Sequence, residues 1–483
     1  MRYSLIGGAY RGRSYDMDAQ ECYNAFVEVD PKERMKPVAL VRRPGLTVYK
    51  AITAGEGRGA HYHVAASRRF AVIGNTLYEF TSSSSTNRGT LSTNSGFVSM
   101  ADNGSTPGGG NQLMLVDGAD GYIFNLSTNT LSVISDADFP DAPQTVTFQD
   151  GYFIVNAGDT GRFYISDSYD GTAWNALDFA TAEGDPDVLV AVKSDRRELW
   201  LIGKRSAEIW YNSGNADFPF ERFQGGFFEM GCAAKASVAK FDNSMVWLSS
   251  NSRGARQFVR AVEGGATVIS TPGMAWQMAQ YTAVEDARAF AFELEGHEFY
   301  ICSFPTANVT WVYDAVSKEW FKWSYYESGA HTQFRGAHYL FDGTNCIVLD
   351  HTNGNTYTLS TSVYADNSDT MMFERIGTHL YFEGRRVQVQ EFELLMEGGL
   401  GLTTGQGSDP QALLAWSKDG GHTYGADMYR SLGAIGQYKS RAVWRKIGSA
   451  RDVVFRIRIS DPVPVVITGA QVRLRGEDLN AAE

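Results

Sequence analysis

Ser417-Lys418-Asp419-Gly420-Gly421-His422-Thr423-Tyr424 places a hydroxyl, a carboxylate, two glycines and an aromatic ring in one short loop. Such a set can either tie a hairpin turn or open onto a ligand. Ser and Asp side chains readily accept hydrogen bonds from nearby backbone N–H groups, so the turn is expected: Ser417 and Asp419 hold the loop, Gly421 gives it room and the Tyr424 ring packs beneath. Ser168–Trp174 is a looser version with the same expected role. His61 and His63 alternate on an expected strand, which would point both imidazoles to one face, but a metal would need a third ligand and none is evident. Asp136, Asp138 and Asp141 crowd around Pro140 and read as solvated turn residues. Cys22, Cys232, Cys302 and Cys346 lie far apart without a CxxC pair and are expected to be reduced core thiols. A phosphate-cradling loop, a nucleophile elbow and an HExxH motif are all missing from the sequence, so no catalytic residue, cofactor or metal is expected.

The net charge of −12 argues against a general nucleic-acid-binding surface, because such binding neutralises phosphates with Lys and Arg. The charge is uneven, however. Nine basic residues between Lys439 and Arg475 face only Asp452 and Asp461, so the rest of the chain is more acidic than the total suggests. Arg456 and Arg458 alternate with Phe455, Ile457 and Ile459, which puts the arginines on one sheet face and the apolar side chains on the other. Two readings follow: a solvated face beside an acidic neighbour, or a face that meets DNA phosphates or an acidic partner subunit. Arg445, Lys446, Arg451, Arg456 and Arg458 are the candidate DNA-channel or subunit-contact residues.

Sheets must position these groups. Fifty Gly against thirteen Pro, with 24 Tyr, 28 Phe and 10 Trp, describe many tight turns joining aromatic, β-prone runs. Helical periodicity is scarce, the best segments being short ones around Met274–Tyr281 and Asp16–Phe26. Strand pairs return roughly every 40 to 50 residues, the spacing of four-stranded propeller blades. Units beginning near Tyr62, Leu113, Tyr152, Leu199, Val246, Tyr300 and Ile347 make seven, within a range of about six to eight. The expected fold is all-β: a β-propeller over residues 57–384 after an N-terminal arm and first strands over 1–56, then a C-terminal β-sandwich-like tail-tube domain over 385–476 and a flexible tail over 477–483. The opening MRYSLIGGAYRGRSYD has arginines where a signal peptide needs an apolar run, and no stretch approaches the roughly 18 apolar residues of a membrane span. A soluble protein made in the cytoplasm, without membrane insertion, is expected.

Two resemblances extend this reading. The Ser417–Tyr424 loop fits the S-x-D-x-G-x-T-aromatic Asp box of sialidase-type propellers, which prompts an alternative, a β-propeller glycosidase or carbohydrate-binding protein. Such an enzyme would need paired carboxylates or a Tyr/Glu nucleophile pair, and an arginine cluster to hold an acidic sugar, and the sequence singles out no such set. The second resemblance touches nearly the whole chain. Ala19–Glu28, with Gln20, Asn24 and Glu28, followed by Pro37–Leu40 and Arg43-Pro44-Gly45-Leu46, resembles the opening of short-tailed phage tail hub proteins, the packaged-DNA stabilisation family. Val443–Gly448 with Val465–Leu474 is similar to that family's closing segment, and Glu198–Gly214, Phe218–Phe220, Ile269–Thr271 and Trp311–Trp320 to its blade motifs. The resemblance implies a virion tail subunit, assembled in the host cytoplasm, that forms a ring, a homohexamer, below the portal and adaptor. That ring would lengthen the conduit for double-stranded DNA, help retain packaged DNA and dock a distal needle, fibres or tailspikes.

Overall fold

The computed structural model describes residues 1–475 apart from 31, 33–37, 107–108, 183, 252 and 264; the tail expected at 477–483 lies outside the described residues. Seven four-stranded antiparallel sheets follow one another along the chain. The first six begin with Gly57–His63, Ser99–Asp102, Pro143–Gln149, Leu189–Asp195, Ala239–Phe241 and Arg288–Leu294, and each adds its next strands outward in sequence order. The seventh takes Gly336–Phe341, Cys346–Asp350 and Asn355–Ser360, and then borrows its outer strand, Gly45–Ala51, from ahead of the first blade. That loan closes the ring. It joins the chain's early and late segments, pairing Leu46 with Leu359 and Val48 with Tyr357. Gly45 is needed at the entry, since a Cβ there would lie 2.4 Å from the Val363 carbonyl oxygen.

Local sequence sets the repeat. In blades 3 to 6 the first two strands are joined by two-residue turns, Asp150-Gly151, Arg196-Arg197, Asp242-Asn243 and Glu295-Gly296, with positive φ at both positions. Those dihedrals match the right-handed twist of a hairpin. The strands then bury apolar faces blade against blade: Phe70 and Leu77 meet Leu113 and Phe124 between blades 1 and 2. Trp200 and Ile202 meet Met245 and Trp247 between blades 4 and 5. Leu340 and Ile347 meet Ala71 and Phe80 where the ring closes. A single blade has two apolar faces and cannot bury both alone, so each needs its neighbours.

Beyond the ring lies a sandwich. One sheet orders Ala25–Val29, Val38–Arg42, Val466–Leu474, Val387–Met396 and Ala442–Ala450, with Arg2–Tyr3 alongside. The other orders Ala19–Tyr23, Phe373–Ile376, Asp452–Ile459, Gln411–Ser417 and Met428–Ser431. Tyr3, Phe392, Trp444 and Phe455 pack between them, with the Phe392 and Phe455 ring centroids 4.5 Å apart. A parallel pairing of Tyr23 with Lys322 fuses the second sheet to the outer strand of blade 6, Trp320–Lys322, giving one continuous eleven-stranded sheet.

The strand pairing assigns three segments more closely than the sequence does. Residues 1–56, expected as an N-terminal arm and first strands, supply strands to both sandwich sheets and to blade 7. Phe373–Ile376 and Leu380–Tyr381, placed by sequence at the end of the propeller span, pair with Asp452–Ile459 of the sandwich. Asp16–Phe26 is no helix: Ala19–Tyr23 and Ala25–Val29 are strands, as long-range pairing overrides weak local propensity. The helix expected near Met274–Tyr281 is present as Pro272–Ala279, capped by the Thr271 hydroxyl. Among the described residues, no helix is long and apolar enough to cross a membrane.

Candidate docking surfaces and the junction that positions them

Asn24 stands where the chain crosses from one sandwich sheet to the other, at φ 58, a left-handed conformation that Asn tolerates better than most residues. Its amide nitrogen donates to Ser324 Oγ at 3.0 Å and to the Met372 carbonyl at 2.8 Å. Its oxygen accepts from Arg43 Nε and from the Ser324 N–H, both at 2.8 Å. Arg43 is fully buried and also donates to Asp366 Oδ2 at 2.6 Å and to the Ser324 carbonyl at 3.0 Å. Burial raises the Asp366 carboxyl above its ordinary range against the opposing pull of Arg43.

The same wall carries further clamps. Arg375, fully buried, donates to the carbonyls of Leu5 at 2.6 Å and Gly8 at 2.8 Å and to Gln20 Oε1 at 2.5 Å. Arg42 reaches the carbonyls of Asp461, Val463 and Ile459 at 2.6, 2.9 and 3.0 Å, and burial pulls it down to about 9, which leaves it protonated at neutral pH. His297 of blade 6 sits between Asp314, 3.1 Å from Nδ1, and Glu28 of the sandwich, 3.0 Å from Nε2. Gln20, Asn24 and Glu28, which carried the N-terminal resemblance, thus each hold a partner distant in the chain. Sequence reasoning quoted them without a role and missed Arg42, Arg375, His297 and Asp366. Two adjacent arginines before Pro-Gly in an otherwise apolar run were the available signal.

The Ser417–Tyr424 loop is a tied turn. Ser417 Oγ donates to Asp419 Oδ1 at 2.6 Å and accepts from the Gly421 N–H at 2.8 Å, while the Thr423 N–H donates to Asp419 Oδ1 at 2.9 Å. The Ser417 and Thr423 bonds hold the Asp419 carboxyl well below the usual range. Tyr424 lies under Arg456, whose guanidinium carbon is 4.6 Å from the ring centroid. The looser version repeats this: Thr172 N and Oγ1 bond Asp170 Oδ1 at 3.0 and 2.6 Å, and Trp174 Nε1 bonds the Gly171 carbonyl at 2.9 Å.

The basic residues do not converge. Arg456 and Arg458 sit on the outer face of Asp452–Ile459 with Phe455, Ile457 and Ile459 buried behind, and both address Asp427, Arg456 at 3.5 Å and Arg458 in direct contact. Arg445 and Lys446 lie on the edge strand of the other sheet. Both are exposed, Arg445 bonding Glu391 at 2.9 Å and Lys446 in a bulge at φ 63. Arg451 is exposed in the turn between the two strands. Tyr429, in the end strand Met428–Ser431, and Ile435 and Tyr438, in the loop that follows it, are 62%, 58% and 71% exposed.

Of the remaining sequence candidates, His61 Nε2 bonds Asp102 Oδ2 at 2.6 Å, whereas His63 accepts from the Ala66 N–H at Nδ1, 3.1 Å away, with its Nε2 3.7 Å from Asp102 Oδ1. All four cysteines are buried and unpaired, and burial pushes the Cys232 thiol up to about 11 and Cys22 up to about 12, far from a reactive thiolate.

Fold and surfaces together define an all-β module: a seven-bladed ring locked to a sandwich through one shared sheet, with edges and faces left open to neighbours. The family models described as bacteriophage P22 Gp10, beta-propeller, and bacteriophage P22 Gp10, beta-sandwich, match residues 1–364 and 372–475. The chain therefore belongs to the bacteriophage P22 Gp10 family, tail accessory factors of short-tailed phages. No curated protein matches it. Among solved structures, the N-terminal domain of Nup159 is 8% identical, with a TM-score of 0.40 over 74% of this chain and 99% of that one. Hydrazine synthase of Kuenenia stuttgartiensis is 7% identical, with a TM-score of 0.43 over 64% of this chain and 96% of that one. Neither likeness bears on what this chain does.

Proposed function

We propose that this phage tail protein is the hub or nozzle subunit of a short tail: a homo-oligomeric ring, a hexamer, placed below the portal and adaptor. There it extends the DNA conduit, helps retain the packaged genome and offers its propeller as a platform for a distal needle, fibres or tailspikes. It is made in the host cytoplasm and works by assembly, without catalysis. The observation that carries this reading is the rigid coupling of ring to sandwich through the eleven-stranded sheet and the Asn24–Arg43–Asp366 network. A subunit that transmits load between neighbours needs its two bodies to move as one, and inter-domain motion is the default where no such interface exists. A net charge of −12 suits a conduit through which DNA must slide, since like charge suppresses sticking. The Asp box, which prompted the glycosidase alternative, has its hydroxyl and carboxylate engaged in its own turn. Negative-stain imaging of the purified protein, alone and with its adaptor, tests the proposal. Closed rings that bind the adaptor are expected; a strict monomer that ignores the adaptor would overturn it.

A further inference from the structure

The outer strands of blades 3 and 4 are looped out at the same place. In blade 3 Trp174 pairs with Ser166 and Phe179 with Tyr164, which leaves residues 175–178 out of register opposite Ile165. In blade 4 Arg222 pairs with Trp210 and Phe227 with Glu208, which leaves 223–226 out of register opposite Ile209. A bulge turns side chains away from the ladder, and here Leu177 and Phe223 are 80% and 53% exposed. Beside Phe223 a cleft of about 750 Å³ opens between blades 4 and 5, walled by Trp200, Ile209, Met245 and Val262. We propose that this flank docks a second copy of this chain, which lays on it the end strand Ala442–Ala450 of its sandwich and the loop 433–440 ahead of that strand. The inference rests on the ring-forming reading above and names the surfaces through which the ring closes.

Charge selects that occupant. Residues 136–229, which run through blades 3 and 4, hold seventeen Asp and Glu against seven Lys and Arg, a balance of −10 within the chain's −12. Asp138, Asp167, Asp217 and Glu221 are exposed and hold no ion pair among the described residues, and the same is true of Glu198 and Glu263 on the wall of the cleft. Burial, and after it the nearby Asp167, raise the Asp178 carboxyl above its ordinary range. Of the other charged groups in the cleft wall, Asp195 is held by Lys240 at 3.4 Å and Arg196 donates to the Asn243 carbonyl.

The sandwich supplies the opposite sign. Residues 428–451 contain six Lys and Arg and no Asp or Glu. Arg441 and Arg445 pair with Glu393 and Glu391, while Lys439, Lys446 and Arg451 are exposed and hold no ion pair among the described residues. Ile435 and Tyr438 put exposed apolar side chains close to Lys439, as Phe223 and Val262 share the cleft with Glu198 and Glu263. Within one chain the two surfaces stand at opposite ends. The sandwich is joined to blades 6 and 7, and blade 3 is three blades from either around the ring. Ala442–Ala450 ends the sheet whose other end, Ala25–Val29, faces blade 6 through Glu28 and His297. A contact between unlike patches of identical chains is head-to-tail, the kind that closes rings.

The test is carbodiimide cross-linking, which joins a lysine amine to a carboxylate in contact, on rings assembled with the adaptor from an equal mixture of unlabelled and isotopically labelled full chains. Expected are mixed-isotope peptides that link Lys439 or Lys446 to Glu198, Asp217, Glu221 or Glu263. Rings without such links overturn the inference and leave the tail-hub reading standing; failure to form rings on the adaptor overturns that reading and this contact with it. Charge reversal gives a second arm. Lys439→Glu with Lys446→Glu and Arg451→Glu, and separately Asp217→Lys with Glu221→Lys and Glu263→Lys, should each cut ring yield at least about tenfold at an unchanged melting temperature. An equal mixture of the two variants should restore the rings, because each then offers the charge that the other needs. A mixture of folded variants that stays unassembled sinks the contact. Should a variant melt early, the cross-links on the parent chain decide.

Discussion

Arg43 Nε donates to Asn24 Oδ1 at 2.8 Å inside the junction, and neither side chain meets solvent. Through this one bond the residue that turns the chain between sandwich sheets is fixed to the residue that leads into the last blade. Asn24→Ala removes four hydrogen bonds and puts a Cβ-bearing apolar residue at positive φ, so a loss of about 3 kcal/mol or more is expected. Asn24→Gly keeps the backbone freedom and should recover about 1 kcal/mol of that loss. Urea unfolding of the three proteins gives the comparison, and near-equal midpoints would remove Asn24 as the hub.

The partner across the junction makes a second case. Asp366→Asn leaves the Arg43 guanidinium buried without its countercharge, which costs about 3 to 5 kcal/mol where such a pair is broken from one side. Calorimetry should show an early transition; a melting curve matching the parent would mean that the carbonyls around Arg43 suffice.

His297 couples the junction to pH. Burial works against its protonation, but Asp314 and Glu28 outweigh it and raise His297 above its ordinary 6.5. A pKa raised on folding stabilises the fold fully below the unfolded value, and that contribution is lost as pH climbs through the raised one. Burial likewise opposes ionisation of Asp314, but His297 and the Ser317 backbone hold it below 3.8, so its share is present above that value and fades in acid. The melting-temperature gap between parent and His297→Gln should be widest near about pH 5 and narrow by about pH 9. A gap constant across that range would contradict the clamp.

The basic residues divide into two experimental classes. Lys446 and Arg451 are exposed, so charge reversal at both should change stability by no more than about 0.5 kcal/mol each while reducing incorporation into tail particles. Arg456 and Arg458 flank Asp427, and placing glutamates there sets three carboxylates together. That double variant should lose about 2 kcal/mol or more before any effect on assembly is read. Melting temperature together with particle incorporation separates the classes, and full incorporation of the Lys446/Arg451 variant would remove that face from assembly.

Much of this architecture is written in local chemistry. The seven blades are legible because Gly, Asn and Asp fall where hairpins need positive φ, as at Asp150-Gly151 and Asp242-Asn243, and because the strands between them alternate. The Ser417–Tyr424 turn and the outward Arg456 and Arg458 follow from the same short-range rules. What escapes is long-range. Nothing near Gly45–Ala51 tells that it pairs with Asn355–Ser360, and nothing near Asp16–Phe26 reveals that two sheets compete for it. Arg42, Arg43 and Arg375 take their roles from carbonyls and a carboxylate that only folding brings around them.

The most direct measurement is made on particles assembled without this chain and then given the purified protein. Expected are tails that end at the adaptor and heads that leak DNA, both repaired when the protein adds as a ring visible by electron cryomicroscopy. Particles that keep their DNA and complete their tails without the protein, or that never take it up, would contradict the role of tail hub.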